Sequence, residues 1–92
     1  MPKNVCGFVP KRYRQPLYYK ELFRMWNAVY RSKNGKEYHL QARPHFLKSE
    51  WEGADIDHYE ILRQDEDCRR SIGREYKSMK AAFEKLDKLI EI

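Results

Sequence analysis

Ninety-two residues with 41% hydrophobic and 14% aromatic content make one small folded domain, and 36% charged residues place a thin core under a charged skin rather than a disordered chain. No apolar run is long enough to span a bilayer and no charged-then-apolar leader opens the chain, so a cytoplasmic protein with no membrane role is expected. The net charge of +5 is uneven, +8 over residues 1–50 and −3 over residues 51–92, which predicts a directional surface for phosphate or for acidic protein.

Residues 1–16 contain three prolines and no acid, and carry Lys3, Lys11, Arg12 and Arg14. Proline blocks regular ladders and helices. The segment reads as a basic N-terminal arm ahead of a single α+β domain over residues 17–92. Two uses stay open: a loose arm reaching a nucleic-acid groove, or a cover in which Val5, Phe8, Val9 and Tyr13 lie over a sheet.

Residues 17–32 fit two periods. Leu22, Met25, Trp26, Val29 and Tyr30 have helical spacing. Met25, Asn27, Val29 and Arg31 also alternate with Trp26, Ala28, Tyr30 and Ser32. Asn34-Gly35 tips the balance, because Asn-Gly between strand-like runs is the strongest short hairpin signal. The expectation is a helical turn near residues 16–22 and a strand over residues 23–32. A two-residue turn then sets Tyr30 opposite His39, Val29 opposite Leu40 and Trp26 opposite Arg43. That register puts Met25, Asn27, Val29, Tyr38, Leu40 and Ala42 on a core face. Trp26, Ala28, Tyr30, Glu37, His39, Gln41 and Arg43 fall on the other.

Residues 44–56 read as a loop, with Pro44 ending the strand and Phe46, Leu47 and Trp51 returning to the core. Residues 57–76 read as a second hairpin around a polar turn at residues 64–67. Ser78 is a natural N-cap, and Met79, Ala82, Phe83, Leu86, Leu89 and Ile90 form one apolar stripe of a helix. The predicted assembly is an antiparallel sheet of about four strands in two hairpins, with one C-terminal α-helix packed on one face. The uncovered face must meet the arm, a second copy in a homodimer, or a partner.

Catalytic constellations are not visible. The four glycines are scattered, no nucleophile elbow occurs, and Cys6, Cys68 and the three histidines lack metal-site spacing. Both cysteines are expected to be reduced thiols. The stretch Ala54-Asp55-Ile56-Asp57-His58-Tyr59-Glu60 gathers carboxylates and a histidine, but strand alternation separates Asp55 and Asp57 from His58 and Glu60. No catalytic residue, metal ligand or cofactor is therefore assigned, and a non-enzymatic binding protein is expected.

Basic and aromatic residues interleave in the first half. Lys11, Arg12, Arg14, Arg24, Trp26, Tyr30, Arg31, Lys33, Lys36, His39 and Arg43 form the expected binding set, with aromatics to stack bases and cations to meet phosphates. The partner expected is DNA or RNA. The hairpin followed by Gly73-Arg74-Glu75-Tyr76-Lys77-Ser78-Met79-Lys80-Ala81-Ala82-Phe83-Glu84-Lys85-Leu86 resembles, in hydrophobic spacing, the small DNA-binding sheets that precede some phage-type integrases. The alternative partner is a nucleic-acid-handling protein complex. In size and character the chain is similar to small phage-encoded antagonists that inhibit host defence complexes. Trp26, Tyr30 and Arg43 would then be interface anchors.

Overall fold

The adjacent aromatics Tyr18 and Tyr19 favour extended backbone, and the chain uses them so. In a computed structural model that describes residues 8–44 and 55–91, five strands run in order: β1 (Tyr18–Leu22), β2 (Met25–Arg31), β3 (Glu37–Arg43), β4 (His58–Gln64) and β5 (Arg69–Ser71). They form one antiparallel sheet with neighbours in sequence order, and helix α1 (Met79–Ile90) follows. The α+β fold expected from the sequence is present, with five strands rather than about four. The added strand is β1, where a helical turn was expected.

The β1–β2 connection explains the difference. Leu22 pairs with Met25, so only Phe23 and Arg24 lie in the loop. Both have positive φ, 54° and 62°, which defines a type I′ hairpin turn. Nothing in Phe-Arg advertises such a turn, and the helical spacing of Leu22, Met25 and Trp26 is a coincidence of two adjoining strands.

The β2–β3 register also differs from expectation, by one residue. Asn27 pairs with Gln41, Val29 with His39 and Tyr30 with Tyr38. The loop holds three residues, Lys33, Asn34 and Gly35. The Gly35 N–H donates to the Ser32 carbonyl at 3.0 Å, and Ser32 N–H donates to the Lys36 carbonyl at 2.8 Å. Gly35 alone in that loop has positive φ, 88°, which is the geometry of a type I turn closed by a glycine bulge. Ser32 Oγ donates to Asn34 Oδ1 and accepts from the Lys36 N–H, fixing that loop. A one-residue slip exchanges faces, so the expected division of the sheet into faces is corrected here.

The helix face now holds Ala28, Tyr30, Tyr38, Leu40, Ala42, Tyr59 and Ile61, packed against Ala82, Phe83, Leu86 and Ile90 of α1. Burying the larger aliphatic and aromatic side chains among them, Leu40, Ile61, Phe83 and Leu86, contributes about 1.5–3 kcal/mol each. Ser78 caps the helix as expected, accepting from the Ala81 N–H at 3.1 Å. The arm from residue 8 onward packs on this same face. Phe8 and Val9 join the core, and Tyr13 stacks on Phe83 with centroids 4.7 Å apart. The Tyr30 hydroxyl donates to the Arg14 carbonyl at 2.9 Å. The expected returns of Phe46, Leu47 and Trp51, like Lys3, Val5, Cys6 and His45, lie outside the described residues. No helix among the described residues is long and apolar enough to cross a membrane.

Candidate binding face of the sheet

Strand alternation assigns the far side of the sheet. Tyr18, Lys20 and Leu22 come from β1, Met25, Asn27, Val29 and Arg31 from β2, and Glu37, His39, Gln41 and Arg43 from β3. His58, Glu60, Leu62 and Gln64 come from β4, and Arg69 from β5. The middle of this face is buried. Met25, Asn27, Val29 and His39 are 0% exposed and Gln41 is 2% exposed. Side-chain polarity in the sequence therefore misreads it, because three of these buried positions are polar.

Those polar groups are only partly satisfied. Asn27 Nδ2 donates to the carbonyls of Lys20, Leu22 and Met25 at 3.1–3.4 Å, and the His39 Nε2–H donates to Glu37 Oε1 at 2.9 Å. Yet Asn27 Oδ1, His39 Nδ1, Gln41 Nε2, Gln64 Oε1 and Arg69 Nε are buried without a hydrogen-bond partner among the described residues. Leaving a buried polar atom unpaired costs about 1–3 kcal/mol. Five such atoms among the described residues gather on this one face.

Burial lowers the His39 pKa below its ordinary value, against the raising effect of its hydrogen bond to Glu37. The positive charges of Arg69 and Lys20 lower it further. The imidazole is thus neutral at pH 7, with the proton on Nε2 facing Glu37 and a bare acceptor at Nδ1. Burial pushes the Glu37 carboxyl up, but hydrogen bonds from His39 and from the Tyr18 hydroxyl outweigh it and its pKa is lowered. The face therefore offers three acceptors (Asn27 Oδ1, His39 Nδ1, Gln64 Oε1) and two donors (Gln41 Nε2, Arg69 Nε).

Around this floor runs a cationic and aromatic rim. Lys20, Arg24 and Arg31 are exposed, Tyr18 is 42% exposed and Phe23 is 59% exposed. The Arg69 guanidinium lies 6.0 Å from the centroid of the Phe23 ring. Strands spaced about 4.8 Å apart would set β1 and β5 about 19 Å apart in a flat sheet. Contact between Arg69 and the β1–β2 turn therefore closes over the far face. Phe23 and Arg24 sit in the left-handed region, which costs a non-glycine residue about 1–2 kcal/mol. Strained backbone of this kind concentrates at functional sites.

The expected binding set is divided by the corrected register. Trp26 and Tyr30 lie on the helix face, packed against or within the core, and Tyr30 is buried enough that its hydroxyl pKa is raised. Lys11 and Arg12 are exposed on the arm, with Arg12 5.1 Å over the Tyr13 ring. Arg14 is held by Asp87 of α1 and by Glu91, its C-cap, at 2.9 and 3.4 Å. Lys33 pairs with Glu91 at 3.2 Å, and Lys36 is exposed on the same hairpin. Arg31, His39 and Arg43 share the far face, and Arg24 stands at its turn. Arg31 is 3.9 Å from Glu37 and Arg43 is 3.7 Å from Glu60. The far face also carries Tyr18, Lys20, Asn27, Gln41 and Arg69, with Phe23 at its turn; of these, sequence reasoning places Gln41 on the uncovered face and does not single out Phe23, Asn27 or Arg69 for binding. Alternation of Tyr18, Lys20 and Leu22 was the available signal. Comparison of the chain with protein-family models, with curated proteins and with solved structures gave no match.

Proposed function

We propose that the chain is a non-catalytic binding protein whose far sheet face takes single-stranded nucleic acid. The observation that carries this reading is the coincidence on one face of five unpaired buried polar atoms with a rim of exposed Tyr18, Phe23, Lys20 and Arg31 and half-buried Arg69. Phe23 and Tyr18 offer rings for stacking, worth about 1–3 kcal/mol per base. Lys20, Arg31 and Arg69 meet phosphates. A base that displaces the Arg69–Phe23 contact finds acceptors and donors below it that match the mixed edges of nucleobases. A duplex hides those edges, so single strands are favoured.

A fluorescence titration with single-stranded and duplex oligonucleotides tests this. Three neutralised phosphates give a salt slope of about 2, so affinity for a single strand should fall about 20-fold between about 50 and about 200 mM salt. Phe23→Ala should weaken binding at both salt concentrations, and Lys11→Ala with Arg12→Ala should change it little. Equal binding to duplex, or a loss confined to the arm variants, would overturn the proposal. Absence of any nucleic-acid binding would do the same and would favour a protein partner.

A further inference from the structure

Where β4 meets the segment before α1, the fold assembles a second constellation. Tyr59 and Tyr76 form an antiparallel bridge, with N–H to carbonyl distances of 2.7 and 2.9 Å in the two directions. That bridge sets Glu75 beside Glu60 and Lys77 beside His58. Gly73 allows it: its φ is 75°, and a Cβ there would lie 2.5 Å from the Tyr76 hydroxyl. His58 Nε2, a Glu60 carboxylate oxygen and a Glu75 carboxylate oxygen all lie within 4.8 Å of one another. His58 Nε2 is 3.0 Å from Glu60 Oε2 and 3.6 Å from Glu75 Oε2. The other ring nitrogen, Nδ1, is held by Asp57 Oδ2 at 2.8 Å.

We propose that His58, Glu60 and Glu75 bind a divalent transition cation of the zinc type through Nε2 and the two carboxylates, with Asp57 positioning the imidazole. Tetrahedral bonds of about 2.0–2.2 Å to one ion place neighbouring ligand atoms about 3.3–3.6 Å apart; His58 Nε2 already lies 3.6 Å from Glu75 Oε2, and its 3.0 Å hydrogen bond to Glu60 Oε2 would lengthen slightly as the ion replaces the proton. A carboxylate on the second nitrogen of a ligating histidine is the usual outer partner, fixing tautomer and ring plane. One further observation points to a ligand: Gln41, directly opposite Glu60 on β3 and 2% exposed, keeps a buried Nε2 with no partner among the described residues, a donor suited to a water or anion in the ion's fourth position. Glu60 and Glu75 face one another across the bridge, where like charges are destabilising, and without an ion His58 and Arg43 offset them.

The probe is Zn²⁺ added to the full chain carrying Cys6→Ser and Cys68→Ser, since Cys68 is an exposed free thiol. Isothermal titration should show one equivalent bound, with Mg²⁺ and Ca²⁺ failing to compete. Glu75→Gln, at a side chain 58% exposed, leaves the fold intact and should abolish that equivalent, as should His58→Gln. Asp57→Asn should weaken it about 10- to 100-fold. In ¹⁵N spectra the His58 Nε2 resonance should shift on Zn²⁺ addition. No binding in the cysteine-free chain, or binding unchanged by Glu75→Gln, would overturn the proposal and leave a self-compensated ion cluster.

Discussion

Replacing Phe23-Arg24 by Asn-Gly should stabilise the fold and weaken binding. The turn requires left-handed backbone at both positions, where an L side chain costs about 1–2 kcal/mol. Glycine removes that cost at position 24 and returns about 0.5–1 kcal/mol through the entropy of the unfolded chain. Asparagine tolerates the left-handed region and lowers the cost at position 23. Against this stand the contacts of the Phe23 ring, among them the Arg69–Phe23 contact, worth about 0.5–1 kcal/mol at an exposed site. With Phe23 59% exposed, the net gain should be about 1 kcal/mol, or about 4–8 °C in Tm for a domain this size. Urea unfolding should show a higher midpoint at unchanged slope. Affinity for a single strand should drop about fivefold or more, the loss of one stacked base. A variant less stable than the parent, or equal binding by both, would refute the view that strain here serves recognition.

Other expectations follow from the same geometry. Gln41→Met should be neutral or stabilising in urea, because an apolar group of similar shape replaces an amide donor that lacks a partner, while affinity falls; a loss of stability would mean that the amide is satisfied. The folded pKa of His39 lies below its ordinary 6.5, so the unfolded chain takes up a proton that the folded chain refuses. Stability should therefore decline as pH falls below 6.5 toward the folded value. Glu37, lowered from 4.5, adds a loss at more acid pH. His39→Gln should remove the first decline in a series of denaturation curves; an unchanged profile would contradict the neutral, buried imidazole. Gly73→Ala should cost more than about 1 kcal/mol, from positive φ and the Tyr76 hydroxyl together. Calorimetry checks this, and a silent substitution would contradict the described bridge.

The helix was legible because three signals agree there: the Ser78 cap, the stripe from Met79 to Ile90 and the charged opposite side. The second hairpin was legible for a similar reason. The binding face was not. Asn34-Gly35 carries the usual mark of a two-residue turn, yet the side chains of Ser32 and Asn34 hold a three-residue loop. The actual two-residue turn is made of Phe23 and Arg24, residues that local propensity would place there last. A shift of one residue then moved Trp26 and Tyr30 to the helix face and left His39 with Asn27 and Gln41. Alternation assigns faces by contrast between apolar and polar positions, and it fails where both faces are buried and one of them is lined by amides and an imidazole.

The most direct test of the far face is a nuclear magnetic resonance titration of ¹⁵N-labelled protein with a short single-stranded oligonucleotide. The side-chain amides of Asn27 and Gln41 and the ring nitrogens of His39 should shift, together with the backbone amides of Lys20, Phe23, Arg31 and Arg69. Those of Lys11, Arg12, Trp26 and the exposed side of α1 should stay in place. Shifts confined to the arm and helix, with Asn27, His39 and Gln41 unmoved, would contradict the account.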